Sequence, residues 1–129
     1  MAYINHECKV FFYSKILLLT LKYLIRYNIA MYMIKQTEIF SKWLLKLKDT
    51  KAKVAILRRI QRVQEGNFGD YKSVSSEISE LRITTGPGYR VYYTKRNEEI
   101  VILLIAGDKS TQSEDILKAK KIAEELKDD

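Results

Sequence analysis

Three cations fall where a β-sheet would hold them still. Arg82 in "ELRIT" and Arg90 in "YRVYYT" lie on consecutive strand-like segments, and Lys109 follows a third in "IAGDKSTQ". Side chains alternate across a strand, so Leu81 and Ile83 take one face of the first segment and Glu80, Arg82 and Thr84 the other. In the second, Tyr89, Val91 and Tyr93 share a face opposite Arg90, Tyr92 and Thr94. Arginine's planar fork of donors suits phosphate oxygens. Arg82 and Arg90, with Tyr92 beside them, therefore read as a platform for phosphates and a stacked base. Gly107 permits a sharp turn that would bring Lys109 and Gln112 to the same sheet edge. The competing account has Arg82 solvated or paired with Glu80, and has Asp108, Ser110 or Thr111 only capping a helix.

The elements that must position these residues follow from periodicity and punctuation. The stretch "MYMIKQT" reads as a short strand, after which Thr37 caps a helix with Phe40, Trp43, Leu44 and Leu47 at helical spacing. This puts Trp43 in the core. Asp49-Thr50 breaks and recaps, and a second helix runs through Val54, Ile56, Leu57, Ile60 and Val63 to Gly66, which suits a left-handed C-terminal position. This helical hairpin is cationic, with Glu38 and Asp49 its only acids from Lys35 to Arg62. Asn67-Phe68-Gly69-Asp70 is a loop. Strands are expected over 78–85, 89–95 and 99–106, joined by Gly86-Pro87-Gly88 and Arg96-Asn97-Glu98. The apolar run Ile100 to Ile105 marks a central strand. Thr111-Gln112-Ser113-Glu114 has the capping-box form, and Ile116, Ala119, Ala123 and Leu126 give a last helix one apolar stripe.

The expected fold is α+β: a helical hairpin packed on one face of a small, mainly antiparallel twisted sheet, with a C-terminal helix. The hairpin buries Leu81, Ile83, Val91 and Tyr93, leaving the face of Arg82, Arg90 and Tyr92 open. A chain of 129 residues, 47% hydrophobic and 30% charged, is one domain's worth. Its formal net charge of +7 favours a polyanionic or acidic partner. One cysteine, Cys8, excludes an internal disulfide, and with the single histidine His6 it is too few for a zinc site. A reducing cytoplasm is the natural setting.

Residues 9–34 are apolar and aromatic but broken by Lys15, Lys22 and Arg26, so they fall short of a membrane span and no stable membrane association is expected. A basic membrane-surface helix is the alternative. The favoured reading treats 1–32 as an N-terminal extension from a misassigned start, with translation beginning at Met31 or Met33, and 33–129 as the functional domain.

"ELRITTGPGYRVYY" followed by "LLIAGDKSTQSEDILKAKKIAEEL" resembles the RelE/ParE superfamily of type II toxins, in particular its HigB-like, phage-derived "addiction module killer protein" branch. The resemblance runs from about Met33 to the C-terminus and implies a helical hairpin on a twisted sheet. It also implies a cognate antitoxin with a helix-turn-helix DNA-binding domain. RelE-like members cut messenger RNA on the ribosome, whereas ParE-like members poison DNA gyrase. Arg90 matches the strand arginine of the G-Y-R motif, Arg82 a basic residue on the preceding strand, and Lys109 the basic residue after the last strand. The family's frequent C-terminal tyrosine or histidine has no match in Ser113-Glu114-Asp115-Ile116.

Cleaving RNA without a metal requires the 2′-oxygen to lose a proton, the phosphorane charge to be stabilised and the leaving oxygen to be protonated. With no histidine pair, the expectation is electrostatic. Arg90 and Arg82 hold the phosphate, Lys109 assists the transition-state charge, and Tyr92, Gln112 and Lys95 contact the RNA. Glu80, Lys109 and Tyr92 are candidates for moving protons. No cofactor or metal is implied. The alternatives are a gyrase inhibitor that acts by binding alone and a decayed toxin kept for antitoxin binding.

Overall fold

A computed structural model describes residues 8–10, 19 and 31–127. The elements are β1 (Cys8–Val10), β2 (Met33–Thr37), α1 (Glu38–Lys46), α2 (Thr50–Gln64), β3 (Tyr71–Ser73), β4 (Ser79–Ile83), β5 (Tyr89–Arg96) and β6 (Ile100–Asp108), then a 3₁₀ turn (Lys109–Thr111) and α3 (Gln112–Lys127). The strands form one sheet in the order β1-β2-β6-β5-β4-β3. Only β2 and β6 run parallel; the other neighbours are antiparallel. The α+β class and mainly antiparallel sheet are as expected. Two strands were not: β1, in the stretch read as an extension, and β3, a fully exposed edge strand with no apolar alternation to announce it. The remaining expectations for residues 1–30 lie outside the described residues.

Local chemistry sets the helix ends. Thr37 ends β2 in extended conformation and its hydroxyl accepts from Phe40 N, which starts α1. Asp49 does the same for α2 through Ala52 N. Gly66, at φ +88°, closes α2: its amide donates to Val63 O while Asn67 N donates to Arg62 O. That paired closure needs a left-handed residue, which glycine adopts without a Cβ clash. The capping box expected at 111–114 does not form as read. The Thr111 hydroxyl instead donates to Asp115 Oδ2, at 2.5 Å, and Asp108 caps the preceding 3₁₀ turn through Ser110 N.

Both sheet faces are covered. The hairpin of α1 and α2 packs Phe40, Ile56 and Val63 on Leu81, Ile83, Val91 and Tyr93, as expected. Trp43 is half-buried against this cluster, stacked on Phe40 and edge-on to Tyr89. On the other side, Ala119, Ile122, Ala123 and Leu126 of α3 pack on Tyr92, Ile102, Leu104 and Ile105. The expectation of an open second face is therefore corrected. The apolar stripe of α3 needs a sheet face to bury it, and only this one is free.

A register shift opposite Tyr92 and Tyr93 puts an extra residue into β6, so that Leu104 and Ile105 both join the α3 side. Simple alternation cannot anticipate that. A bulge leaves a carbonyl outside the ladder, and Thr37 satisfies it by donating its hydroxyl to Leu104 O at 2.6 Å. One threonine thus ties helix α1, edge-side β2 and central β6 together.

Candidate functional site

Glu80 organises the cations. It lies on β4 with its side chain fully buried, two residues from Arg82 and on the same face. Arg82 Nε donates to its Oε2 at 2.9 Å, and Arg90 Nη1, from β5, donates to the same oxygen. Gln112, at the start of α3, donates from Nε2 to the other oxygen at 3.0 Å. Three elements therefore converge on one carboxylate. A buried anion is tolerable only with such saturation. Both oxygens are occupied, so Glu80 is a clamp for the guanidiniums and not a free proton acceptor. The pairing account raised for Arg82 holds, and extends to Arg90.

The clamp leaves donors over. Arg82 is engaged through Nε and Arg90 through Nη1, so terminal nitrogens of both remain for a ligand. Arg90 Nε is buried without a partner among the described residues. A groove of about 410 Å³ at the β4–β5 turn is lined by Arg82, Arg90 and Lys109 together with Asp70, Tyr89 and the Gly86–Gly88 turn. Lys109 reaches it because its backbone amide donates to Gly88 O at 2.9 Å, tying the β6–α3 connection to that turn. Gly88 has φ +85°, a conformation that favours glycine. Structure therefore brings the three expected catalytic cations into one groove.

The other residues expected to contact RNA do not line this groove. The Tyr92 ring is fully buried beneath α3, so it cannot stack on a base from solvent. Its hydroxyl has no partner among the described residues, and burial pushes its pKa up, reinforced by the charges of Glu80 and Asp115 and opposed by Arg90. Tyr92 is thus moved away from neutrality and out of proton transfer. Gln112 is committed to Glu80 and is not on the groove wall. Lys95 lies five residues beyond Arg90, roughly 17 Å along the strand, on the hairpin face. There its ammonium sits 5.0 Å from the Phe68 ring centroid and 5.7 Å from that of Tyr32. Gly107 is also reassigned: it lies within β6, where a Cβ would run into Asp115 Oδ2 and sit 2.7 Å from Thr111 Oγ1.

Two positioning groups went unread in the sequence. Arg59 donates to Arg82 O at 2.7 Å, Phe68 O at 2.9 Å and Asp70 O at 2.7 Å, so it fixes β4 and the 67–70 loop together. Burial lowers its pKa, with Asp70 opposing. Its signal was present: Arg59 falls on the stripe of Ala52, Ile56 and Val63, where a cation is out of place unless it has a buried task. Asp70 was the second, read as loop alone. Among the described residues, no group of three or more His, Cys, Asp and Glu side chains is arranged to hold a metal, and no helix is long and apolar enough to cross a membrane.

Fold and groove together define a small α+β domain that presents clamped arginines at the end of an antiparallel sheet. Residues 42–128 match the family described as phage-derived protein Gp49-like (DUF891), and the chain belongs to that family, a toxin-like family of the addiction-module type. An uncharacterized protein of Haemophilus influenzae (strain ATCC 51907 / DSM 11121 / KW20 / Rd) is 57% identical over 93 residues, covering 72% of this chain and 94% of that relative. No solved structure matches.

Proposed function

We propose that this protein is the toxin of a type II toxin–antitoxin pair, a RelE-like endoribonuclease that cuts messenger RNA on the ribosome and so stops translation in the cytoplasm. The observation that carries the reading is the convergence of Arg82, Arg90 and Lys109 on one groove. Two guanidiniums on a rigid antiparallel pair keep a fixed separation against a phosphate, and preorganised donors are what a developing phosphorane needs. Lys109 is exposed and carries no ion pair among the described residues, so its charge is free for the transition state. The reaction is transfer of the 2′-oxygen onto its own phosphate, with the charge borne by side chains.

The partner that silences such a toxin is a cognate antitoxin carrying a helix-turn-helix domain. The cationic outer surface of α1 and α2 complements an acidic segment of it. Primer extension on translated messages after brief induction, run beside a gyrase supercoiling assay, tests the reading. New 5′ ends within open reading frames, with supercoiling untouched, are expected. Blocked supercoiling with intact messages would replace the nuclease with the ParE-like gyrase inhibitor; neither effect would leave a decayed toxin.

A further inference from the structure

Transfer of the 2′-oxygen needs a proton acceptor, and the groove offers few. Glu80 is buried with both oxygens taken. Asp115 is buried and accepts from Thr111. Tyr92 is sealed beneath α3. One carboxylate remains on the groove wall with Arg82, Arg90 and Lys109, and that is Asp70.

Asp70 is held as an acting group would be. Its carbonyl oxygen accepts from Arg59 Nη2 at 2.7 Å and from Arg82 N at 2.9 Å, so two bonds fix its backbone against helix α2 and strand β4. Its carboxylate has no hydrogen bond or ion pair within 4.0 Å among the described residues, although it shares the groove lining with Arg82, Arg90 and Lys109. Gly69, just before it at φ +62°, lies against the Arg59 guanidinium, where a Cβ would sit 3.2 Å away. The main chain is therefore clamped while the carboxylate is exposed and unpaired.

We infer that Asp70 is the general base of this site. The inference rests on the nuclease reading and goes on to assign its proton acceptor. In the step it serves, the substrate 2′-hydroxyl gives its proton to the Asp70 carboxylate as the 2′-oxygen forms a bond to phosphorus. The bond from phosphorus to the 5′-oxygen breaks, and that oxygen takes a proton from the Lys109 ammonium. Arg82 and Arg90 carry the added charge on the non-bridging oxygens. The products are a 2′,3′-cyclic phosphate and a 5′-hydroxyl, and solvent restores both side chains.

The test uses the full chain, ribosomes programmed with a defined message, and Asp70→Asn. That substitution leaves the two backbone bonds in place, and circular dichroism checks the fold; Asp70→Ser serves as the second variant. Single-turnover cleavage should fall by about 10²–10⁴-fold, with unchanged affinity for ribosomes carrying a message blocked by 2′-deoxy substitution at the cut site. A message with a bridging 5′-sulfur at that linkage has a leaving group that needs no proton. It should rescue Lys109→Ala but not Asp70→Asn. Cleavage by Asp70→Asn at the wild-type rate, or its rescue by the sulfur substrate, would overturn the assignment while the nuclease reading stands. A wild-type protein that cuts no message would remove both.

Discussion

Arg82 and Arg90 stand directly opposite one another across β4 and β5, and both guanidiniums donate to a single oxygen of Glu80. Like charges at opposed positions of an antiparallel pair repel. Glu80 turns that repulsion into a clamp, with Gln112 completing its shell from α3. The three donors together offset the cost of burying the carboxylate.

Removing Glu80 should therefore be expensive. Glu80→Ala leaves two facing cations without their shared acceptor and should destabilise the fold by about 3–5 kcal/mol. Glu80→Gln, which keeps an acceptor oxygen, should cost clearly less. Urea unfolding of both variants decides it, and equal stability of Glu80→Ala and wild type would mean that the clamp is not structural.

Thr37 performs two tasks with one hydroxyl, capping α1 and satisfying the bulged Leu104 carbonyl. Thr37→Val keeps the shape and loses both. A lost cap costs about 1 kcal/mol and an unsatisfied buried carbonyl about 1–3 kcal/mol, so the sum should be about 2–4 kcal/mol. Thr37→Ser should recover most of it in the same denaturant titration.

Alkaline stability should be limited by Tyr93. Burial is the main cause that pushes its pKa up to about 12, from 10.0 for a free side chain. The folded state thus holds the phenolic proton more tightly than the unfolded state does. That contribution is whole below pH ~10 and is lost as the pH rises from there through about 12. Thermal melts across this range should show a steady fall, less steep in Tyr93→Phe. Tyr92, shifted in the same direction, adds to the loss.

Much of the fold was legible because local signals agreed with one another. Thr37, Asp49 and Gly66 mark helix ends by chemistry that acts within four residues, and all three do so. The alternation of Arg82 with Leu81 and Ile83 placed the arginines on the correct face. The site was half legible for a related reason. The cations announce themselves by type, and the turn residues bring Lys109 to them. What covers the second face was not local information: the stripe of α3 was visible, but its docking on Tyr92 depends on tertiary packing. The bulge at Leu104 changed which residues meet that helix. Asp70 was obscured because a loop residue's position comes from Arg59, eleven residues away on another element.

If the arginine-lined groove cuts RNA, as proposed, the decisive quantity is the single-turnover rate at which wild type and Arg90→Ala cleave a ribosome-bound message, at a temperature where both are folded. Arg90 shares a buried carboxylate, so its loss will also lower the melting temperature; Arg82 and Gln112 still hold Glu80 and should keep the domain folded. Arg90→Ala should cleave about 10²–10³-fold more slowly than wild type, with antitoxin binding retained. Equal rates for the two proteins would contradict the proposal.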